Sequence, residues 1–367
     1  MSTLDWLCFQ QVYGYGATRA QKALDAYHHP SLIPDLHKGR PQLLANAERL
    51  LEQAVKLGCT VLTPDDARYP QRLRNIYAPP AVLFVLGSLS ALADDRPAIA
   101  MVGTRKITPY GKRVAQELSA GLAQAGVTVV SGMALGVDAI SHWAALRAGG
   151  PTVAVLGNGL DTIYPASNQE LHQAVLQSGG AVVSEFPPGE APLPFHFPIR
   201  NRIISGLSLG VVVVEGARHS GSLLTAGHAV TQDREVFAVP GEIYANMSQA
   251  TNWLIGQGAT MATCVGDILA QFPYIRFGPV AGEDAPPAAQ TQLELPDTPE
   301  PLPDYLSDNQ RRVLTAMGHQ PLPADRVAAH TGLAVGAVLA AFTQLELFGL
   351  VRACPGQCYQ RLPNPVK

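Results

Sequence analysis

From Thr60 onward the chain alternates short apolar runs with helical patterns, and this alternation restricts the fold more than any other feature. The runs are Thr60–Leu62, Val82–Leu86, Ala98–Val102, Thr128–Ser131, Thr152–Leu156, Ala181–Ser184, Val211–Val214 and Glu235–Val239. Most are β-branched, apolar at consecutive positions and bounded by Gly or Pro. Helical patterns fill the gaps at Tyr110–Gln124, Val137–Arg147, Asn168–Gln177, Ser222–Thr231 and Ala250–Ile255. Strands buried on both faces and separated by helices make a mainly parallel, doubly wound sheet. The expected fold class is α/β, with this sheet spanning 59–275. Ligands of such sheets bind beyond the carboxyl ends of the strands.

The flanks differ in texture. Residues 1–58 read as a small helical domain, with helices at Arg19–Tyr27, capped by Thr18, and Pro41–Lys56, closed by Gly58. The turn Tyr13-Gly14-Tyr15-Gly16 between helices resembles a helix-hairpin-helix; with only Arg19 and Lys22 nearby, a packing module is the favoured reading. Residues 276–303 hold seven prolines and several acids without an apolar period, the composition of an extended linker. Residues 304–367 read as helix, helix-turn-helix and hairpin, a winged helix. Its third helix, Val335–Phe348, has no basic residue, which argues for packing or a protein contact over sequence-specific DNA reading.

A length of 367 residues accommodates such a multi-domain chain, and the formal charge of −3 excludes a broadly basic polyanion binder while leaving room for a local basic patch. No signal peptide, membrane span, metal site or cofactor motif is expected, and the five scattered cysteines suit reduced thiols in the cytoplasm.

The loops after the strands are rich in Gly and Ser. Gly103-Thr104-Arg105-Lys106 follows the third run, and Ser131-Gly132-Met133-Ala134-Leu135-Gly136-Val137-Asp138 follows the fourth. Ser220-Gly221-Ser222 precedes a later helix. A small-residue loop at a helix start offers N–H groups to an anion. Arg200, Asn201 and Arg202 add two guanidinium forks and an amide, suited to phosphate oxygens or, alternatively, to Glu185 or Glu215. The nucleic-acid contact set expected from this rim is Gly103, Thr104, Arg105, Lys106, Ser131, Gly132, Met133, Gly136, Arg200, Asn201, Arg202, Ser220, Gly221 and Ser222. Asp138 is expected to brace its loop, with His142 one turn on as its hydrogen-bond partner.

These motifs, in this order, resemble the DNA-processing protein A family (DprA, also called Smf). The resemblance runs from about Pro70 to Leu269 through Val102-Gly103-Thr104-Arg105, Ser131–Asp138, Leu156-Gly157-Asn158-Gly159-Leu160-Asp161, Phe197-Pro198-Ile199-Arg200-Asn201-Arg202, Ser220-Gly221-Ser222-Leu223-Leu224-Thr225-Ala226 and Thr251-Asn252-Trp253-Leu254-Ile255. It implies an extended Rossmann-like domain that binds and protects single-stranded DNA, dimerises, and helps load the RecA recombinase in natural transformation and recombination, without enzymatic activity. It also implies a dimer segment within Thr251–Met261, including Asn252, Leu254, Ile255 and Met261. Gly216, Ala250 and Ala166 depart from the family pattern, which usually has Ala, Gly and a basic residue there.

Two other readings compete. A nucleotide-phosphate enzyme of the phosphoribohydrolase type would use Asp138, Glu185 or Glu215 as acid or base, but the Pro-Gly-Gly-x-Gly-Thr signature and the Gly-x-Gly-x-x-Gly fingerprint are absent. A transcription regulator would need a winged helix able to read bases, and the apolar third helix argues against it.

Overall fold

The computed structural model describes residues 3–16, 18–37, 39–275, 277, 306–317, 322–348, 350–354 and 358–361. The chain divides into two compact units, 1–284 and 285–367. In chain order the first unit contains α1 (Thr3–Tyr13), α2 (Thr18–Tyr27), α3 (Arg40–Lys56), β1 (Thr60–Leu62), α4 (Gln71–Arg74), β2 (Leu83–Gly87), β3 (Ala98–Val102), α5 (Pro109–Gln124), β4 (Thr128–Ser131), α6 (Val137–Arg147), β5 (Thr152–Leu156), α7 (Gln169–Gln177), β6 (Ala181–Ser184), α8 (His196–Gly206), β7 (Gly210–Val213), α9 (Ser222–Thr231), β8 (Glu235–Ala238), α10 (Gln249–Gly256), β9 (Thr260–Met261) and α11 (Val265–Leu269).

The strands form one sheet in the order β1-β2-β6-β5-β4-β3-β7-β8-β9. Every neighbouring pair from β6 to β9 is parallel, while β2 pairs antiparallel with both β6 and β1. This is the mainly parallel, doubly wound sheet expected from the alternation. Successive residues serve opposite cores: Ala98, Ala100 and Val102 pack with Ile203, Ile204 and Ala226, whereas Ile99 and Met101 pack with Leu118 and Leu122. That is why the runs lack a polar face. The short elements α4, β9 and α11 were not anticipated; β9 is two residues long, too short to carry a period.

The helices before residue 58 do not build a separate core. Trp6, Leu7 and Phe9 share one cluster with Phe84, Leu156 and Val182 of the sheet. The Gly-rich turn faces inward. The Tyr15 ring lies 4.6 Å from Phe186, and Gln10 Nε2 donates to the Glu185 carbonyl at 3.1 Å. Gly16 has φ +54°, and a Cβ there would sit 3.0 Å from Arg202 Nε. Only glycine adopts this backbone and leaves that space without strain. The turn is therefore a packing module, as its few basic neighbours suggested. Beneath it Arg202 Nη2 meets Glu185 Oε1 at 2.7 Å, with side chains only 6% and 2% exposed.

His142 is fully buried on α6. It does not pair with Asp138; its Nδ1 lies 2.6 Å from Thr152 Oγ1. That hydroxyl donates to the Val129 carbonyl, so Nδ1 carries the proton and donates to it. Burial, reinforced by Arg200, pushes the imidazole down to about 3.

In the second unit α12 (Asp308–Ala316), β10 (Leu322–Pro323), α13 (Ala324–Thr331), α14 (Val335–Leu347), β11 (Val351–Cys354) and β12 (Cys358–Arg361) form a winged helix with strand order β10-β12-β11. Val338, Ala341, Phe342 and Leu345 of α14 face its core, and Phe342 stacks on Tyr359 at 4.1 Å. Val335 and Leu339 face outward. The stretch read as a linker, apart from Phe277, lies outside the described residues. Among the described residues no single helix is long and apolar enough to cross a membrane.

Glu185→Ala would leave Arg202 buried without its counter-charge, and should cost about 3–5 kcal/mol in urea unfolding; an unchanged midpoint would mean the pair contributes no net stability. The His142 contribution is fully present above the unfolded-state value of about 6.5 and is lost as pH falls towards about 3. Replacing His142 with Asn should therefore flatten the acid limb of the stability curve by up to about 1.4 kcal/mol per pH unit. Parallel acid limbs in the two proteins would disprove this.

Candidate nucleic-acid interface

The winding fixes where a ligand can sit. From β3 the chain steps through β4 and β5 to β6, then returns to the other side of β3 to lay down β7, β8 and β9. The loops after β3 and β7 therefore part at the sheet's switch point. Here Glu215 holds them together. Its carbonyl accepts from Thr104 N at 2.9 Å, and its carboxylate accepts from Thr108 N at 3.0 Å and from the Thr108 hydroxyl. Thr108 also caps α5, accepting from Gly111 N at 3.1 Å. A Cβ on Gly111 would collide with the Glu215 carboxylate. The Ala250 N–H donates to the Gly216 carbonyl at 2.9 Å.

The loop after β4 is likewise filled from within. Asp138 Oδ2 accepts from Gly132 N at 3.1 Å and from Ala134 N at 3.3 Å. Two N–H groups of the loop expected to cradle a phosphate, those of Gly132 and Ala134, are thus already bonded to the chain's own carboxylate. On the other side of the same residue, Arg200 Nη1 donates to the Gly132 carbonyl at 2.8 Å and to the Val155 carbonyl. A Cβ on Gly132 would run into the guanidinium. Gly136 has φ +78° and lies against the Thr104 carbonyl, where a side chain would collide. Burial pushes the Asp138 carboxyl up, against the pull of Arg200. Burial likewise lowers Arg200 to about 10, opposed by Asp138 and reinforced by Arg105.

Several expected contact residues are therefore not at the surface. Ser131 is fully buried, with its hydroxyl donating to the Met101 carbonyl at 2.6 Å, because its side chain turns into the sheet. Met133 is also buried, its carbonyl held by Asn168 Nδ2 at 2.8 Å. Arg202 belongs to the Glu185 pair, and Arg200 is 4% exposed. Arg105 and Lys106 are exposed, Gly103 and Thr104 are half-buried, and Asn201, half-buried, accepts from Arg200 Nε at 3.2 Å. Ser220 and Ser222 bond through their hydroxyls at 2.8 Å, with Gly221 exposed between them.

Part of the expected set borders one cleft of ≈ 500 Å³, lined by Gly103, Thr104, Arg105, Asp138, Arg200, Asn201, Ser220, Gly221 and Ser222, with Tyr164, Pro192, Pro194, Phe197 and Leu224 among its other walls; Lys106, Ser131, Gly132, Met133, Gly136 and Arg202 do not line it. Phe197 organises the basic lip. Arg105 Cζ lies 5.5 Å and Arg200 Cζ 6.0 Å from its ring centroid, and the half-exposed Tyr164 ring is 5.6 Å away. From the sequence, Phe195, Phe197 and Tyr164 can stack on bases but read more readily as core residues; Tyr164 and Phe195 are instead exposed, and the Pro and Leu walls had no counterpart in that reading. A proline-rich approach to a helix, Pro192 to Pro198, was the available signal. An acid at the second residue of α6, after a Gly-rich loop, was the signal for the filled cradle.

In the expected dimer segment, the half-buried Asn252 accepts from Gly241 N at 3.2 Å and donates to the Gly241 carbonyl at 3.0 Å, and Leu254 belongs to the core. Ile255 is partly buried. Met261 is half-exposed, and Trp253, Ile243 and Tyr244 are exposed nearby in the chain.

Comparisons with known proteins agree with this architecture. The sequence profile of the family described as DNA recombination-mediator protein A matches residues 60–273, and that of the DprA winged helix domain matches residues 296–357. The chain is 42% identical over 296 residues to Protein Smf of Escherichia coli K12, covering 80% of this chain and 76% of that protein. It resembles the X-ray structure of DNA processing protein A from Streptococcus pneumoniae, with TM-score 0.58, 38% identity and coverage of 63% of this chain and 82% of that one. It also resembles DNA processing protein A from Helicobacter pylori, whose structure was described for its single-stranded DNA binding mode, with TM-score 0.53, 30% identity and coverage of 58% and 94%. With its Rossmann-like sheet, winged helix and matching core sequence, the chain belongs to the DNA recombination-mediator protein A family, the DprA/Smf proteins.

Proposed function

We propose that this protein binds single-stranded DNA along the cleft at the carboxyl rim of its sheet, protects it, and helps load a RecA-type recombinase onto it in transformation and recombination. It acts in the cytoplasm as a homodimer and as a binding protein without turnover. The observation that carries the reading is the lip where exposed Arg105 lies over Phe197 beside Gly- and Ser-rich loops. A guanidinium held over an aromatic face offers charge to phosphates, and the neighbouring half-exposed Tyr164 offers a flat surface to a base. Such contacts suit a strand of any sequence. Family membership supports the recombinase partner, and the H. pylori relative supports the ligand. The exposed Ile243, Tyr244, Trp253 and Met261, all within 243–261, support self-association, because large apolar side chains left in water favour a contact surface.

The binding reading is tested by fluorescence anisotropy of labelled single-stranded and duplex oligonucleotides over a salt series. Single strands should bind more tightly, and Arg105→Ala with Lys106→Ala should weaken binding and flatten the log–log salt slope by roughly 0.7 for each phosphate contact removed. A slope that does not move places the strand elsewhere. For the dimer, Trp253→Asp with Met261→Asp should convert the mass seen by light scattering from dimer to monomer. A dimer that survives both substitutions rules this patch out.

A further inference from the structure

We infer that Asp138 and Glu215 are built-in anions that keep the two amide-lined phosphate positions of this fold closed, so that the rim selects a polynucleotide strand over free nucleotides. The inference deepens the single-strand reading and rests on it for the identity of the selected ligand. Its structural half stands alone.

A Rossmann-like fold offers a nucleotide phosphate the backbone N–H groups where a strand turns into a helix. In this chain the turn after β3 leads to α5, and the turn after β4 leads to α6. At the first, the Glu215 carboxylate takes the Thr108 N–H and hydroxyl. At the second, Asp138 takes the Gly132 and Ala134 N–H groups. Both carboxylates are almost fully buried, at 3% and 8% exposure. Glycine is needed at both places: a Cβ at Gly111 would strike Glu215, and one at Gly132 would strike Arg200, the cation beside Asp138. An entering phosphate would have to displace a desolvated, hydrogen-bonded carboxylate or lie against its charge. A strand has another route. It can run along the outer lip, where Arg105 and Lys106 are exposed, and gain from several phosphates together what one phosphate cannot supply. Removing Asp138 reverses the situation, because two N–H groups and the buried Arg200 guanidinium are left facing a carboxylate-sized gap without a counter-charge.

The experiment is a thermal-shift titration of the full chain with inorganic phosphate and with adenosine 5′-monophosphate at constant ionic strength. Wild type should show no saturable rise in Tm. Asp138→Ala and Glu215→Ala should each gain one of about 2–4 °C at roughly ten times Kd. A saturable rise in wild type overturns the inference, as does a variant that is folded by circular dichroism and gains nothing. If Asp138→Ala does not fold, Asp138→Ser and Glu215→Ala are read by the same criterion, and the wild-type arm decides independently of any variant. Labelled-oligonucleotide anisotropy on the same wild-type sample separates the two claims. Failure to bind the oligonucleotide would sink the strand reading and leave the closed positions untouched, whereas displacement of the oligonucleotide by the monophosphate would overturn the proposed selection.

Discussion

Gly132 is held from both sides by opposite charges. Its N–H is bonded to Asp138 and its carbonyl to Arg200, which also bonds the Val155 carbonyl. One guanidinium, carried across from α8, therefore ties the carboxyl end of β4 to that of β5. Much of the rim depends on this arrangement. It fixes the loop that lies against Thr104, and it brings Arg200 to the same Phe197 ring that Arg105 approaches. Both charged groups are hydrogen-bonded to the Gly132 backbone, and in that way they set the geometry of the loop.

The same economy appears at Arg202. Neighbouring arginines on one helix point to different tasks: Arg200 holds the rim loop, and Arg202 neutralises Glu185 under the N-terminal turn. Gly16 allows that turn to approach Arg202, so the N-terminal helices and α8 share one packing unit. What a sequence presents as an Arg-Asn-Arg cluster is, in three dimensions, a structural bolt on either side of a half-buried amide. Arg105 and Lys106, on the loop after β3, are by contrast exposed.

The winged helix follows a related logic. Its third helix spends Val338, Ala341, Phe342 and Leu345 on its own core and presents Val335 and Leu339 outward. The exposed face also carries Thr343, Gln344 and Glu346 but no Lys or Arg, so it lacks the cationic side chains that most often read guanine edges.

The sequence by itself determined the sheet. Runs apolar at every position can be buried only between two helical layers, and so the strands, their parallel sense and the functional rim followed from pattern alone. It also determined the inward-facing Gly turn to the extent that few cations accompanied it. Only the tertiary structure decided which rim groups are free. Ser131, Met133, Asn252 and Leu254 look available in the sequence, yet backbone and side-chain groups from other segments bond or cover them. Asp138 is six residues from Gly132, while Glu215 is 107 residues from Thr108 and Arg200 is 68 from Gly132. A hydrogen-bond donor's chemistry is written in its residue type, but whether that donor is already satisfied depends on what the fold brings within 3 Å of it.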